Sequence, residues 1–185
     1  MNDKKTTTQK FQIFYISKEE TNCPLIIEII KLSKKLKETN ILKNDNEAIF
    51  SLTFGKRMII NGTIKDFSNI KRDELLEVVD FDPIKNNLLI IGSAKPRIET
   101  SLHWMIHHAR EDVNFVVQIK KTDIIKKIKM VHVSVRYPIG SLDNTKEVLK
   151  ALRNNKKIII KNNGLLIVGR NTEDIEKQIQ GIFGV

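Results

Sequence analysis

A chain of 185 residues, 41% of them hydrophobic, suits one domain with a sizeable core. It has no run approaching the roughly 20 apolar residues that span a bilayer, and its one cysteine, Cys23, excludes an internal disulfide and a cysteine-based metal cluster. The net charge of +10 admits an anionic partner, but the cations are mostly lysines in short runs such as Lys126-Lys127-Ile128-Lys129 and Lys156-Lys157, without interleaved aromatics, so nucleic acid is not the expected partner.

Met1 to Lys10 is polar and has no apolar signal-peptide segment, which predicts a disordered tail over 1–10 ahead of one domain over 11–185, in the cytoplasm by default. Phe11 to Ile16 is apolar enough for a strand. Pro24 opens a helix, acceptable in a first turn where an N–H has no helical partner, and Ile26, Ile29, Ile30, Ser33 and Leu36 follow helical spacing. Ala48 to Phe54 and Lys56 to Ile60 read as strands joined at Gly55. Lys71 to Leu76 reads as a short polar helix running into strand-like Val78-Val79. Leu88 to Ile91 is a buried strand, followed by a loop from Gly92 to Pro96.

Glu99 to Ala109 is predicted as a helix with Leu102, Met105, Ile106 and Ala109 on its apolar face. Phe115 to Ile119 and Val131 to Val135 are strands, and Asn144 to Arg153 is a further helix. Lys157 to Ile160 and Leu165 to Val168 flank Asn162-Asn163-Gly164, a hairpin signal because Asn-Gly tolerates positive φ. Asn171 is placed to cap a last helix bearing Ile175, Ile179, Ile182 and Phe183. Strands and helices interleave, yet several strands join by short turns, so a mixed or antiparallel sheet flanked by helices is expected.

Four segments in order resemble the class II aldolase/adducin family over roughly residues 24 to 180: Lys95 to His103 with Ala109 to Val117; Ile160 to Arg170; Tyr137 to Ser141; and, more weakly, Asp45-Asn46 through Asn61-Gly62. The resemblance implies a three-layer α/β/α fold with a central mixed, mostly antiparallel sheet, and homo-oligomers, usually tetramers. In active members three histidines hold zinc or a similar ion that stabilises an enediolate, a carboxylate handles the proton, and small-residue loops hold a phosphate.

By the same resemblance, the paired metal histidines fall on Gln118 and Lys120 and the third on Asn163. An amide oxygen is a poor zinc donor, and an ammonium has no lone pair. Placed about 4 Å from a divalent ion, that ammonium costs about 8 kcal/mol at an effective dielectric of about 20. No metal and no cofactor are therefore expected. Of the ligand-holding parts, Asn46, Gly62 and Lys95 survive, and Arg97 stands where the family has small residues. Arg97 is either a fork for a carboxylate or phosphate or an exposed loop arginine.

Glu99 falls on the catalytic carboxylate. Paired with Lys120 it is either a structural ion pair or a base beside an activated amine. Glu99, His103 and His107 share one helix face, with His108 beside them, and read as either packing or a relocated metal site; His132 reads as structural. The expectation is a metal-free, non-catalytic domain that serves as a binding or assembly module, with a small anionic ligand and no membrane partner. The alternative is a divergent aldehyde-lyase, epimerase or dehydratase acting on a sugar or sugar phosphate.

Overall fold

Apolar strands, the central ones buried on both faces, build one sheet, and the helices pack on its two sides. A computed structural model describes residues 10–42, 48–120, 130–133 and 137–184. In chain order they form β1 (Gln12–Ser17), α1 (Ile26–Glu38), β2 (Ala48–Phe54), β3 (Arg57–Asn61), β4 (Leu75–Asp82), β5 (Asn87–Ile91), α2 (Thr100–Ala109), β6 (Phe115–Ile119), β7 (His132–Val133), α3 (Leu142–Leu152), β8 (Lys157–Ile160), β9 (Gly164–Gly169) and α4 (Thr172–Phe183). Among the described residues the sheet order is β1-β5-β4-β3-β2-β6-β9-β8-β7. Only β1 with β5 and β7 with β8 run parallel; the other pairs are antiparallel. The mixed, mostly antiparallel sheet flanked by helices is as expected. Of the tail expected over 1–10, all but Lys10 lies outside the described residues, as do Lys126 to Lys129 and the end of the Val131–Val135 strand.

Alternation along the central strands assigns each side chain to a layer. Phe50 and Leu52 of β2, Val117 and Ile119 of β6, and Leu165 and Ile167 of β9 join one core with α1 and α4. Val116, Leu166 and Val168 join Leu102 and Ile106 of α2 and Val148 and Leu152 of α3 on the other face. Ser51 and Gln118 have the parity of that second face, in strands paired Ile49 to Gln118 and Ser51 to Val116. Two polar side chains are thereby pointed under α2, inside an apolar layer.

One element differs. The polar helix expected from Lys71 to Leu76 is a single 3₁₀ turn, Arg72–Glu74. The Glu74 carboxylate folds back to accept from the N–H groups of Lys71 and Lys65, each at 2.9 Å. Leu75 and Leu76 are fully buried and belong to β4, where Leu76 pairs with Ile60. Burial and the ladder outweigh a weak helical propensity. Among the described residues β1 is an edge strand, and Phe14, Tyr15 and Ile16 are exposed there at 44%, 42% and 54%.

The β8–β9 hairpin forms where expected, with positive φ at Asn162 (63°) and Gly164 (99°) rather than at Asn163. A Cβ on Gly164 would lie 2.1 Å from the Ile119 carbonyl oxygen, so a side chain there would push the hairpin off the end of β6. This contact is what seats Asn163 beside the residues that follow β6. Gly164→Ala is expected to destabilise the protein by about 3 kcal/mol or more, from the clash plus the strained φ; urea unfolding measures it, and a loss below about 1 kcal/mol would contradict the contact.

Candidate functional site

Gln118 and Lys120 lie two residues apart at the end of β6, so the pleat points both to the α2 face. Glu99 is the N-cap residue of α2, and the loop before it brings Lys95 and Arg97 to the same place. Gly62 fixes the opposite wall: a Cβ there would sit 2.9 Å from the Lys95 carbonyl oxygen, so the chain after β3 packs backbone to backbone on the Lys95 loop. The result is a pocket of about 380 Å³ lined by Thr63, Lys95, Arg97, Glu99 and Lys120, with Pro96 and Ile98 as its apolar part.

The charge at its floor is unusual. Glu99 is 1% exposed, and its carboxylate touches the Lys120 ammonium through Oε1 and lies 3.8 Å from Arg97 Nε through Oε2. Neither oxygen accepts a hydrogen bond of normal geometry, and Arg97 Nε is buried without an acceptor. Among the described residues, the carboxylate's contacts are ionic ones with Lys120 and Arg97. Lys120 keeps 28% of its side chain exposed, so it is the member of the pair that faces a visiting molecule.

Beneath the pocket runs a buried polar chain. Gln118 donates through Nε2 to the Asn163 carbonyl (2.8 Å), and its Oε1 lies 3.3 Å from His103 Nε2. The other nitrogen of His103 meets Ser51 Oγ at 2.8 Å, and the same hydroxyl lies 2.9 Å from His107 Nε2. His107 Nδ1 faces the Val113 carbonyl at 3.3 Å. The carbonyls at both ends can only accept, so each neutral imidazole donates outward and turns its lone pair toward Ser51. That hydroxyl has one proton for two acceptors. Burial, aided by the Arg97 and Lys120 charges, lowers His103 to a pKa of about 4; burial and the neighbouring His103 lower His107 to about 3.

The expected residues are therefore largely brought together. Glu99, Lys120, Arg97 and Lys95 line one pocket, and Gln118 and Asn163 lie directly beneath it. Asn163 is 4% exposed, with its side-chain nitrogen unpartnered. Gly62 acts through its backbone, and Asn46 lies outside the described residues. Asn61 is buried and accepts from Phe50 N–H (2.6 Å) while donating to the Gly62 carbonyl (2.8 Å), which makes it a brace for the wall. His103 and His107 converge on Ser51. Ser51 and Thr63 were not singled out in the sequence; a buried serine in the apolar run from Ala48 to Leu52 was the available signal for the first.

The donor set does not fit a divalent ion. Both ends of the Gln118 amide are engaged, and Lys120 offers an ammonium bound to the carboxylate. Among the described residues no three His, Cys, Asp or Glu side chains converge as ligands. A second hollow of about 490 Å³ opens at the opposite end of β6, around Thr53, Asn114 and Arg170, where the carboxylate Glu28 accepts from Thr172 at 2.8 Å. Among the described residues no helix is long and apolar enough to cross a membrane.

Comparison with known proteins follows the same lines. The model for the class II aldolase and adducin N-terminal domain matches residues 28–125. Among solved structures, an L-fuculose 1-phosphate aldolase superposes with a TM-score of 0.66 at 20% identity, over 88% of this chain and 87% of that one. The L-fuculose-1-phosphate aldolase of Thermus thermophilus gives 0.63 at 12% identity, over 85% and 88%. The N-terminal class II aldolase domain of a conserved protein from Thermoplasma acidophilum gives 0.62 at 14%, over 90% and 93%. No curated protein matches by sequence.

The buried imidazoles make stability depend on pH. The unfolded chain protonates both near 6.5, whereas the folded protein holds them neutral to about 4 and 3. Stability is thus complete above about pH 6.5 and falls as pH drops toward 4, by about 1.4 kcal/mol per pH unit for each histidine. Urea unfolding at pH 7 and pH 5 should differ by about 3 to 4 kcal/mol, and the difference should be roughly halved in His107→Gln. Equal stabilities at the two pH values would mean that the imidazoles are not held neutral.

Proposed function

The chain belongs to the class II aldolase and adducin N-terminal domain family, and from that premise we propose that it is a metal-free member whose pocket binds a small anionic molecule. The observation that carries this is the Lys120 ammonium seated on the buried Glu99 carboxylate. A carboxylate that is 1% exposed needs a counter-charge, and here a side chain provides it. Both ends of the Gln118 amide are taken by His103 and Asn163, and among the described residues Glu99 belongs to no group of three His, Cys, Asp or Glu side chains that could hold a cation. Among the described residues that line the pocket, the cations Lys95, Arg97 and Lys120 stand against the carboxylate Glu99, an excess of positive charge that suits a carboxylate or phosphate.

The reading extends to assembly in the cytoplasm. The outer edge of β1, an edge strand among the described residues with Phe14, Tyr15 and Ile16 exposed in a row, supports self-association, and the tetramer suggested by family resemblance is the proposed form. Light scattering on the purified chain measures this directly.

Two results are expected at the pocket. Elemental analysis of untagged protein should find zinc, manganese and iron far below one per chain, and a stoichiometric ion overturns the proposal. Inorganic phosphate at tenfold its dissociation constant should stabilise the fold by about 1.4 kcal/mol, a rise of roughly 3–6 °C in Tm. Arg97→Ala should remove most of that rise, and an unchanged rise would place the anion elsewhere.

A further inference from the structure

We infer that Lys120 captures a 2-oxo acid as a Schiff base, with Glu99 carrying the proton and Arg97 holding the acid's carboxylate. This rests on the reading of the pocket as an anion site and adds a covalent step to it. The juxtaposition is specific. Lys120 touches one oxygen of the Glu99 carboxylate and Arg97 Nε lies 3.8 Å from the other, so amine and guanidinium flank the same small group. A molecule that offers a carbonyl carbon to the amine and a carboxylate to the guanidinium across such a gap has the two functions on adjacent carbons. That is the chemistry of a 2-oxo acid. Arg97 Nε is already buried without an acceptor, and Lys95 adds a second cation at the same wall. Pro96 and Ile98 supply apolar surface for the rest of the molecule.

The proton balance closes within the pair. Glu99 takes a proton from the Lys120 ammonium, giving a neutral amine and a carboxylic acid. The amine nitrogen attacks the carbonyl carbon, a C–N bond forms, and the carbinolamine keeps the former carbonyl oxygen as a hydroxyl. Glu99 then returns its proton to that hydroxyl, the C–O bond breaks, and water leaves. The products are a protonated imine on Lys120, a restored Glu99 carboxylate and one water. Glu99 suits this relay because, among the described residues, its oxygens accept no other well-formed hydrogen bond, while the exposed part of Lys120 opens to the pocket.

The test uses the full chain incubated with pyruvate and cyanoborohydride, which reduces an imine to a stable secondary amine. Intact mass and peptide mapping locate the adduct. The expected result is one reduced pyruvyl adduct on the peptide carrying Lys120, saturable in pyruvate and blocked by lactate, which has the carboxylate but no carbonyl. Lys120→Arg should leave that peptide unlabelled, and Glu99→Gln should slow labelling about a hundredfold, as loss of a proton-transfer group does, while lactate still raises its Tm. Adducts spread over surface lysines, or none on Lys120, overturn the inference; wild-type mapping decides this even if a variant fails to fold. If lactate and phosphate stabilise the protein but Lys120 is not trapped, the Schiff base alone falls. If neither stabilises it and nothing is trapped, the anion site falls as well.

Discussion

A carboxylate removed from water must find positive charge nearby or lose its own, and Glu99 is the place where this protein meets that constraint. The side chain sits at the head of α2, under a pocket, almost wholly enclosed. Its counter-charge comes from Lys120 at the end of β6 and from Arg97 in its own loop. The pairing ties helix, central strand and loop together at one point. It also decides the chemistry of the pocket, because a flexible ammonium with three donors interacts with ligands quite differently from a fixed dication with vacant coordination positions.

The chain of polar groups below is built on a different principle. Gln118, His103, Ser51 and His107 carry no charge at neutral pH, and their order follows from strand parity and helix periodicity together. Ser51 and Gln118 face α2 from adjacent strands, while His103 and His107 lie one turn apart on that helix. Such a buried network is valuable only when nearly satisfied, and this one is short by a single hydrogen at Ser51. It gives α2 a preferred seat on the sheet that apolar packing alone leaves less defined.

Much of this was legible in the residues. The strand at Phe115 to Ile119 with Gln118 and Lys120 on one face, the helix beginning at Glu99, the hairpin at Asn162 to Gly164 and the cap at Asn171 all follow from local rules. The Asn171 side chain accepts from the Asp174 N–H at 2.9 Å, as a cap should. What was not legible depends on partners distant in the chain. Lys71 to Leu76 looked helical because its polar start was visible and the claim of β3 on Leu76 was not. The parallel pairing of β1 with β5 joins segments far apart in the chain, beyond any local signal. His103 and His107 have a spacing suited to a metal or to packing, and the serine brought between them from β2 is a partner that no local pattern announces.

Gly62 has a wider meaning. The pocket wall there is one main chain resting on another, without a side chain between them. That stretch of wall is therefore set by main chain, and it keeps its position when the side chains around the pocket are changed, like a rim that holds whichever spokes are fitted to it.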